Sequence, residues 1–286
     1  MEEKRFDPAK LESMFTKPEE VLEKMDEVEF RARMRERCHH TLEIQLYTSI
    51  HEHKPLNPRQ VETADRFLRV WDRRGLSHDL PEYRFVRRLR DLAEQVYAGQ
   101  EPDLTHYAPA ELSAEALSGF ERVLYERRSV RHWDWSRRVP DEVIDKILKA
   151  GLWGAHACNL QSIRYCVVRE ETTPDVFRGS DIPGGPVHIL ILQDLRCYLA
   201  NPVMPAYNKL LDCGAAGQNI VLAAHAYGLG GTWLTFTSDQ MRQRVRDALE
   251  IPEAYDMVTY VDVGYPAQTP SAPDRISVEE AVLKRV

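Results

Sequence analysis

Apolar side chains recur at helical spacing through the first third of the chain. Over residues 18–53, Val21, Leu22, Met25, Val28, Phe30, Met34, Leu42, Ile44, Leu46, Tyr47 and Ile50 fall near one face of an α-helix, with charged residues between them. Pro55 and Pro58 end that pattern. A second helix fits residues 58–74, stopped by Gly75, and a third fits 81–98, stopped by Gly99. Residues 100–109 are polar with two prolines and read as a linker.

From about residue 110 the pattern changes. A helix over 113–126 carries Leu117, Phe120, Val123 and Leu124, and another over 139–153 has Pro140 at its start and Val143, Ile144, Ile147 and Leu148 on one face. Short β-like runs follow at 163–168, 187–192, 231–236 and 257–263. Between them, residues 208–227 form the longest helix of this half. It is apolar around most of its girth, which predicts burial. Helices and strands alternate only partly, so the fold class is α+β, a sheet flanked by helices. The chain divides into an all-α region, 1–118, whose role the sequence leaves open, and a second region, 119–286.

Composition narrows the function class. Hydrophobic content of 43% in 286 residues supports a substantial core. A net charge of −7 argues against nucleic acid or a membrane surface as the main partner, although basic residues cluster at 122–138. Five scattered cysteines without CxxC spacing predict a reduced, cytoplasmic protein. The N-terminal residues lack the apolar stretch of a signal peptide, and no run reaches the ~18–20 apolar residues of a membrane span.

Four segments carry candidate chemistry. Arg127-Arg128-Ser129-Val130-Arg131 sets three guanidiniums and a hydroxyl within five residues, suited to a phosphate and the electron-rich edge of an attached ring. The same residues also fit a solvated basic helix end. Asn159-Leu160-Gln161, after Trp153-Gly154-Ala155-His156-Ala157-Cys158, offers two amides that can read ring carbonyls, or simply a polar loop. Asp212-Cys213-Gly214-Ala215-Ala216-Gly217-Gln218-Asn219 permits close packing on a buried helix, and the Gly228-Leu229-Gly230-Gly231 exit leads into a strand. Gly264-Tyr265-Pro266 ends the last strand, nine residues before Arg275. No metal site is expected: Cys38-His39-His40 with Glu43, and His51-x-His53, lack zinc spacing. Walker and GxSxG motifs are absent.

Taken in order, these four segments resemble the nitroreductase-like family of FMN enzymes over about residues 119–286. The resemblance implies a mostly antiparallel central sheet flanked by helices and an intertwined homodimer with FMN at its interface. NAD(P)H would be the hydride donor and a small nitro, quinone or enone compound the acceptor, in a ping-pong cycle. Arg127 and Arg131, with Arg128 and Ser129 beside them, would meet the phosphate or the pyrimidine edge, and Arg275 the phosphate from the C-terminal side. Ala155, His156, Ala157, Asn159 and Gln161 would approach FMN from the partner subunit. Trp233, Leu234 and Thr235 would line the ring near N5, mainly through backbone. The flavin does the chemistry, so no catalytic side chain is required; His156 is the candidate proton donor, against a plain loop histidine.

The chain departs from the family pattern at Pro273, at Ala155-His156, at Ser162-Ile163 and at His132-Trp133-Asp134-Trp135. Several of these positions are where substrate contacts are expected. Alternatives within the resemblance are a reductive dehalogenase, a ring-oxidising flavoenzyme, or a non-catalytic FMN-binding regulator that uses its N-terminal helices for partner binding.

Overall fold

The computed structural model describes residues 14–177 and 184–286. The N-terminal part is helical, as its periodicity predicts, but not continuous over 18–53. Helix α1 (Glu19–Lys24) stops where Met25 becomes extended, and Asp26 caps α2 (Glu27–Arg37) by accepting from the backbone N–H of Val28 and Glu29. A π-helical stretch (Cys38–Glu43) then leads into α3 (Ile44–Glu52).

The π-helical stretch has a cause in the sequence. Phe30, Met34, Cys38, Leu42 and Leu46 are all at most 1% exposed and recur every four residues. On a helix of 3.6 residues per turn, each four-residue step drifts by about 40°. A wider turn takes up that drift and keeps all five on one face. They pack with Phe67, Trp71 and Val86 of α4 (Pro58–Arg73) and α5 (Pro81–Tyr97) in a cluster confined to residues 22–93. Gly75 and Gly99 follow these two helices with φ of +65° and +70°, the left-handed stops the sequence predicts.

The second part begins with α6 (Ala114–Glu126), capped by Ser113, and α7 (Asp141–Leu152). Four antiparallel strands follow: β1 (Ile163–Arg169), β2 (Val187–Asp194), β3 (Gly230–Leu234) and β4 (Tyr255–Gly264), in the spatial order β1-β2-β4-β3. The observed β3 begins one residue earlier than the 231–236 run and ends at Leu234, leaving Thr235 beyond the strand. Every residue of β2 is buried, so the sheet is covered on both faces. Val187, Ile189 and Ile191 pack with α7 and with α9 (Asn208–Ala226), whereas Leu190 and Leu192 pack with Val245 of α10 (Asp239–Ala248). Two short helices, α8 (Leu195–Tyr198) and α11 (Val278–Ala281), have no sequence expectation. Among the described residues, no helix is long and apolar enough to cross a membrane.

Candidate functional site

Helix α6 ends at Arg127, and the chain beyond it is held along two edges. On one edge Ser129 bridges Gly231, the Val130 N–H donates to the Gly231 carbonyl at 3.3 Å, and the Thr232 hydroxyl donates to the Val130 carbonyl. The approach is so close that a Cβ on Gly230 would lie 2.6 Å from Val130 Cβ. On the other edge the segment leaving β4 pairs with it. Asp134 N–H donates to the Tyr265 carbonyl at 2.8 Å, Ala267 N–H to the His132 carbonyl at 3.0 Å, and Arg131 N–H to Gln268 Oε1 at 3.1 Å.

This lacing explains how two distant stretches converge. The exit of β4 runs along 131–134 and carries the chain on to Arg275. The charge of Arg275 reaches Arg127. Burial first, then the positive charges of Arg128 and Arg275, push the Arg127 guanidinium below its ordinary pKa. Arg128 Nη1 donates to the carbonyls of Tyr125 and Arg127, at 2.6 and 2.9 Å. Among the described residues, no carboxylate pairs with Arg127, Arg128, Arg131 or Arg275. Like charges drawn together without a counter-ion are costly unless an anion joins them, and a phosphate has the charge and the acceptor oxygens to do so.

Strand β3 adds a fixed aromatic. Trp233 Nε1 donates to Thr259 Oγ1 at 2.7 Å, and the indole lies against α9, where a Cβ on Gly217 would be 2.8 Å from Trp233 Cζ2. Leu234 is buried and Thr235 exposed.

The second group is also built on α9, around Asp212, Ala215 and Ala216. Past α7, Gly154 sits so close to Ala215 and Ala216 that a Cβ there would lie 3.0 Å from their backbone atoms. Ala157 N–H donates to Asp212 Oδ1 at 2.9 Å, and Tyr198 OH donates to Asp212 Oδ2 at 2.7 Å. Asp212 is thus the anchor of this loop, a role its place in the sequence motif does not reveal. Cys158, Asn159 and Gln161 hold φ of 53°, 52° and 49°, a left-handed conformation that costs non-glycine residues energy. The two amides expected to read a ring bond each other in this chain, Gln161 Nε2 donating to Asn159 Oδ1 at 2.9 Å.

His156 lines this region, and its Nε2 is buried without a partner among the described residues. Burial lowers its pKa, outweighing the opposing effects of Asp212 and the Gly154 carbonyl, so the ring is neutral at pH 7. Burial likewise raises the Cys158 thiol.

The N-terminal helices dock on this same loop. Arg35 Nη2 donates to the Leu160 carbonyl at 2.7 Å, Arg33 Nη2 to the Leu199 carbonyl at 2.8 Å, and Asn201 Nδ2 to Glu36 Oε1 at 3.0 Å. Ala32, Leu160, Cys197 and Ala200 form a small apolar cluster beside them. Buried Glu82 of α5 pairs with both Arg31 and Arg35. Glu36, His40 and Cys158 bring ligand-type atoms within 4.8 Å of one another, but Arg37 and Asn201 already bind the carboxylate. The contacts that join the helices to the loop have no sequence signal, because they link residues more than a hundred positions apart.

Between the helices and the loop lies a cleft of about 830 Å³, lined by Ala155, His156, Asn159 and Gln161 on one side and by α2, α5 and the π-helical stretch on the other. None of Arg127, Arg128, Ser129, Arg131 or Arg275 lines it. The predicted site residues therefore fall into two groups within one chain, the arginines and the loop from Ala155 to Gln161, with Trp233 packed on α9 at Gly217.

Comparison with known proteins agrees with this architecture. A family model described as the nitroreductase family matches residues 124–180 and 182–265. A protein named NADH dehydrogenase/NAD(P)H nitroreductase from Methanothermobacter thermautotrophicus is 34% identical over 165 residues, 54% of this chain and 83% of that protein. A protein of the same name from Archaeoglobus fulgidus is 31% identical over 173 residues, 56% of this chain and 97% of its own. Among solved structures, a nitroreductase in complex with FMN from Desulfovibrio desulfuricans aligns with a TM-score of 0.50 at 28% identity, covering 58% of this chain and 96% of that one. The family match begins at residue 124, so helices α1–α5 lie outside it.

Proposed function

The chain belongs to the nitroreductase family, and from that premise we propose that it is an FMN-dependent oxidoreductase acting as a homodimer. The observation that carries this reading is that the positive charges of Arg128 and Arg275 act on Arg127 while, among the described residues, no carboxylate pairs with any of the three. When bound, FMN supplies two-electron chemistry, taking hydride from NAD(P)H and passing two electrons, with two protons overall, to a small organic acceptor in a ping-pong cycle.

The chain's own residues supply binding and orientation. Arg127 and Arg275 hold the phosphate, with Arg128 and the Ser129 hydroxyl beside them. Arg131, exposed at the end of the cluster, places positive charge where a reduced ring carries negative charge. Trp233, fixed by Thr259 and Gly217, sets the wall next to the ring, continued by Leu234 and Thr235. Ala155, His156, Ala157, Asn159 and Gln161 serve the partner's cofactor, which accounts for their separation from the arginines within one chain. Asn159 and Gln161, which bond each other here, would turn their amides to the ring when the cofactor is bound. His156, neutral at pH 7, orients by hydrogen bonding and brings no charge.

Purification tests this directly. A yellow dimer whose flavin absorption bleaches anaerobically with NADH or NADPH is expected. A protein that stays colourless after incubation with FMN contradicts the reading.

A further inference from the structure

We propose that the N-terminal helices form the acceptor-selecting wall of the site, and that Arg84 and Arg88 of α5 select a planar acceptor carrying an anionic group. The proposal rests on the flavin-reductase reading above and adds a substrate class to it.

Several charges in and around the cleft are already spent. Glu82 answers Arg31 and Arg35, and Glu43 answers His39 at 2.6 Å. On α5, Arg87 pairs with Asp91, and Arg90 with Asp65 and Glu94. Arg84 and Arg88 also belong to α5 and line the cleft, and among the described residues neither has a carboxylate partner. They are four residues apart, hence on one helix face, and can grip one anion together.

The other side of the cleft is aromatic and polar. Trp153 is 78% exposed there, a large flat surface left bare. His156 and the Asn159–Gln161 pair stand beside it, and these are the residues read above as approaching the cofactor. A ring stacked on Trp153 with a carboxylate toward α5 would satisfy both sides. Because the family match begins at residue 124, this wall is an addition to the shared fold, suited to specificity rather than to the common chemistry.

Arg84 and Arg88 also border an adjoining cleft of about 520 Å³, where His78 stacks on Tyr83 at 3.9 Å. The test separates the two clefts. Binding of 4-nitrobenzoate and of the neutral 4-nitrobenzyl alcohol to the full-length protein is followed by tryptophan fluorescence quenching, with Trp153→Phe assigning the signal. The same pair is then compared as acceptors.

Wild type is expected to bind the carboxylate about tenfold more tightly than the alcohol, as two exposed guanidinium contacts allow. The Arg84→Gln/Arg88→Gln double variant should lose that preference through KM, with kcat and the alcohol's affinity unmoved. His78→Ala should keep it. No preference in wild type, a preference that survives the double variant, or one lost in His78→Ala overturns the proposal. If the protein binds no FMN, the parent reading fails, and the quenching titration still decides this one.

Discussion

The arginine cluster and the N-terminal docking surface are both rich in charge, yet they are opposites. At the docking surface these buried charges each meet an opposite charge: Glu82 holds Arg31 and Arg35, Glu36 holds Arg37 and also accepts from Asn201, and Arg33 reaches Glu29 and the Leu199 carbonyl. At the arginine cluster, the positive charge of Arg275 acts on Arg127, and among the described residues no carboxylate pairs with either. The difference teaches what each surface is for. Satisfied buried charge fixes one element against another, whereas unsatisfied like charge at a surface is arranged for something that arrives.

The largest effect expected from breaking this contrast is at the docking surface. Glu82→Ala leaves Arg35 buried without its carboxylate, and should cost about 3–5 kcal/mol of stability, measured by chemical denaturation. At the cluster the same kind of truncation should spare the fold. Arg127→Ala removes an unanswered charge, so denaturation midpoints should hold or rise, while FMN affinity falls about 10–100-fold for a lost contact of about 1.5–3 kcal/mol. Loss of stability comparable to that of Glu82→Ala would erase the distinction.

A backbone change sharpens it further. Gly230→Ala drives a methyl into Val130 and should displace the segment that carries the arginines, costing about 1–3 kcal/mol and weakening FMN binding with every charge retained.

The smallest effect concerns pH. Buried His188 bonds Asp262 at 2.5 Å and Glu170 at 3.1 Å. Burial acts to lower its pKa, but the hydrogen bond and charge of Asp262, followed by Glu170, outweigh burial and raise it. A raised folded pKa stabilises fully below the unfolded value of about 6.5 and is lost as pH climbs through the folded value. Stability should therefore decline modestly on that alkaline side, and His188→Gln should flatten the profile.

Much of the fold was legible because its signals are local. Gly75 and Gly99 stop helices where a left-handed residue is needed, Ser113 caps α6, and the girth of α9 announces its burial. The break at Met25 and the π-helical stretch were not legible as such. Apolar spacing alone does not separate a continuous helix from one rewound to hold a four-residue repeat. Among the site residues, the arginines announce themselves by density. Asp212 and Glu82 do not, because their meaning lies in partners 55 and 47 residues away.

The central claim is that guanidiniums from both ends of the catalytic region meet one phosphate. Equilibrium titration with FMN and with riboflavin, which lacks that phosphate, measures it most directly. The account predicts FMN binding at least about 100-fold tighter than riboflavin, with the gap closed in Arg127→Ala/Arg275→Ala. Equal affinities in wild type, or a gap that persists in the double variant, would contradict it.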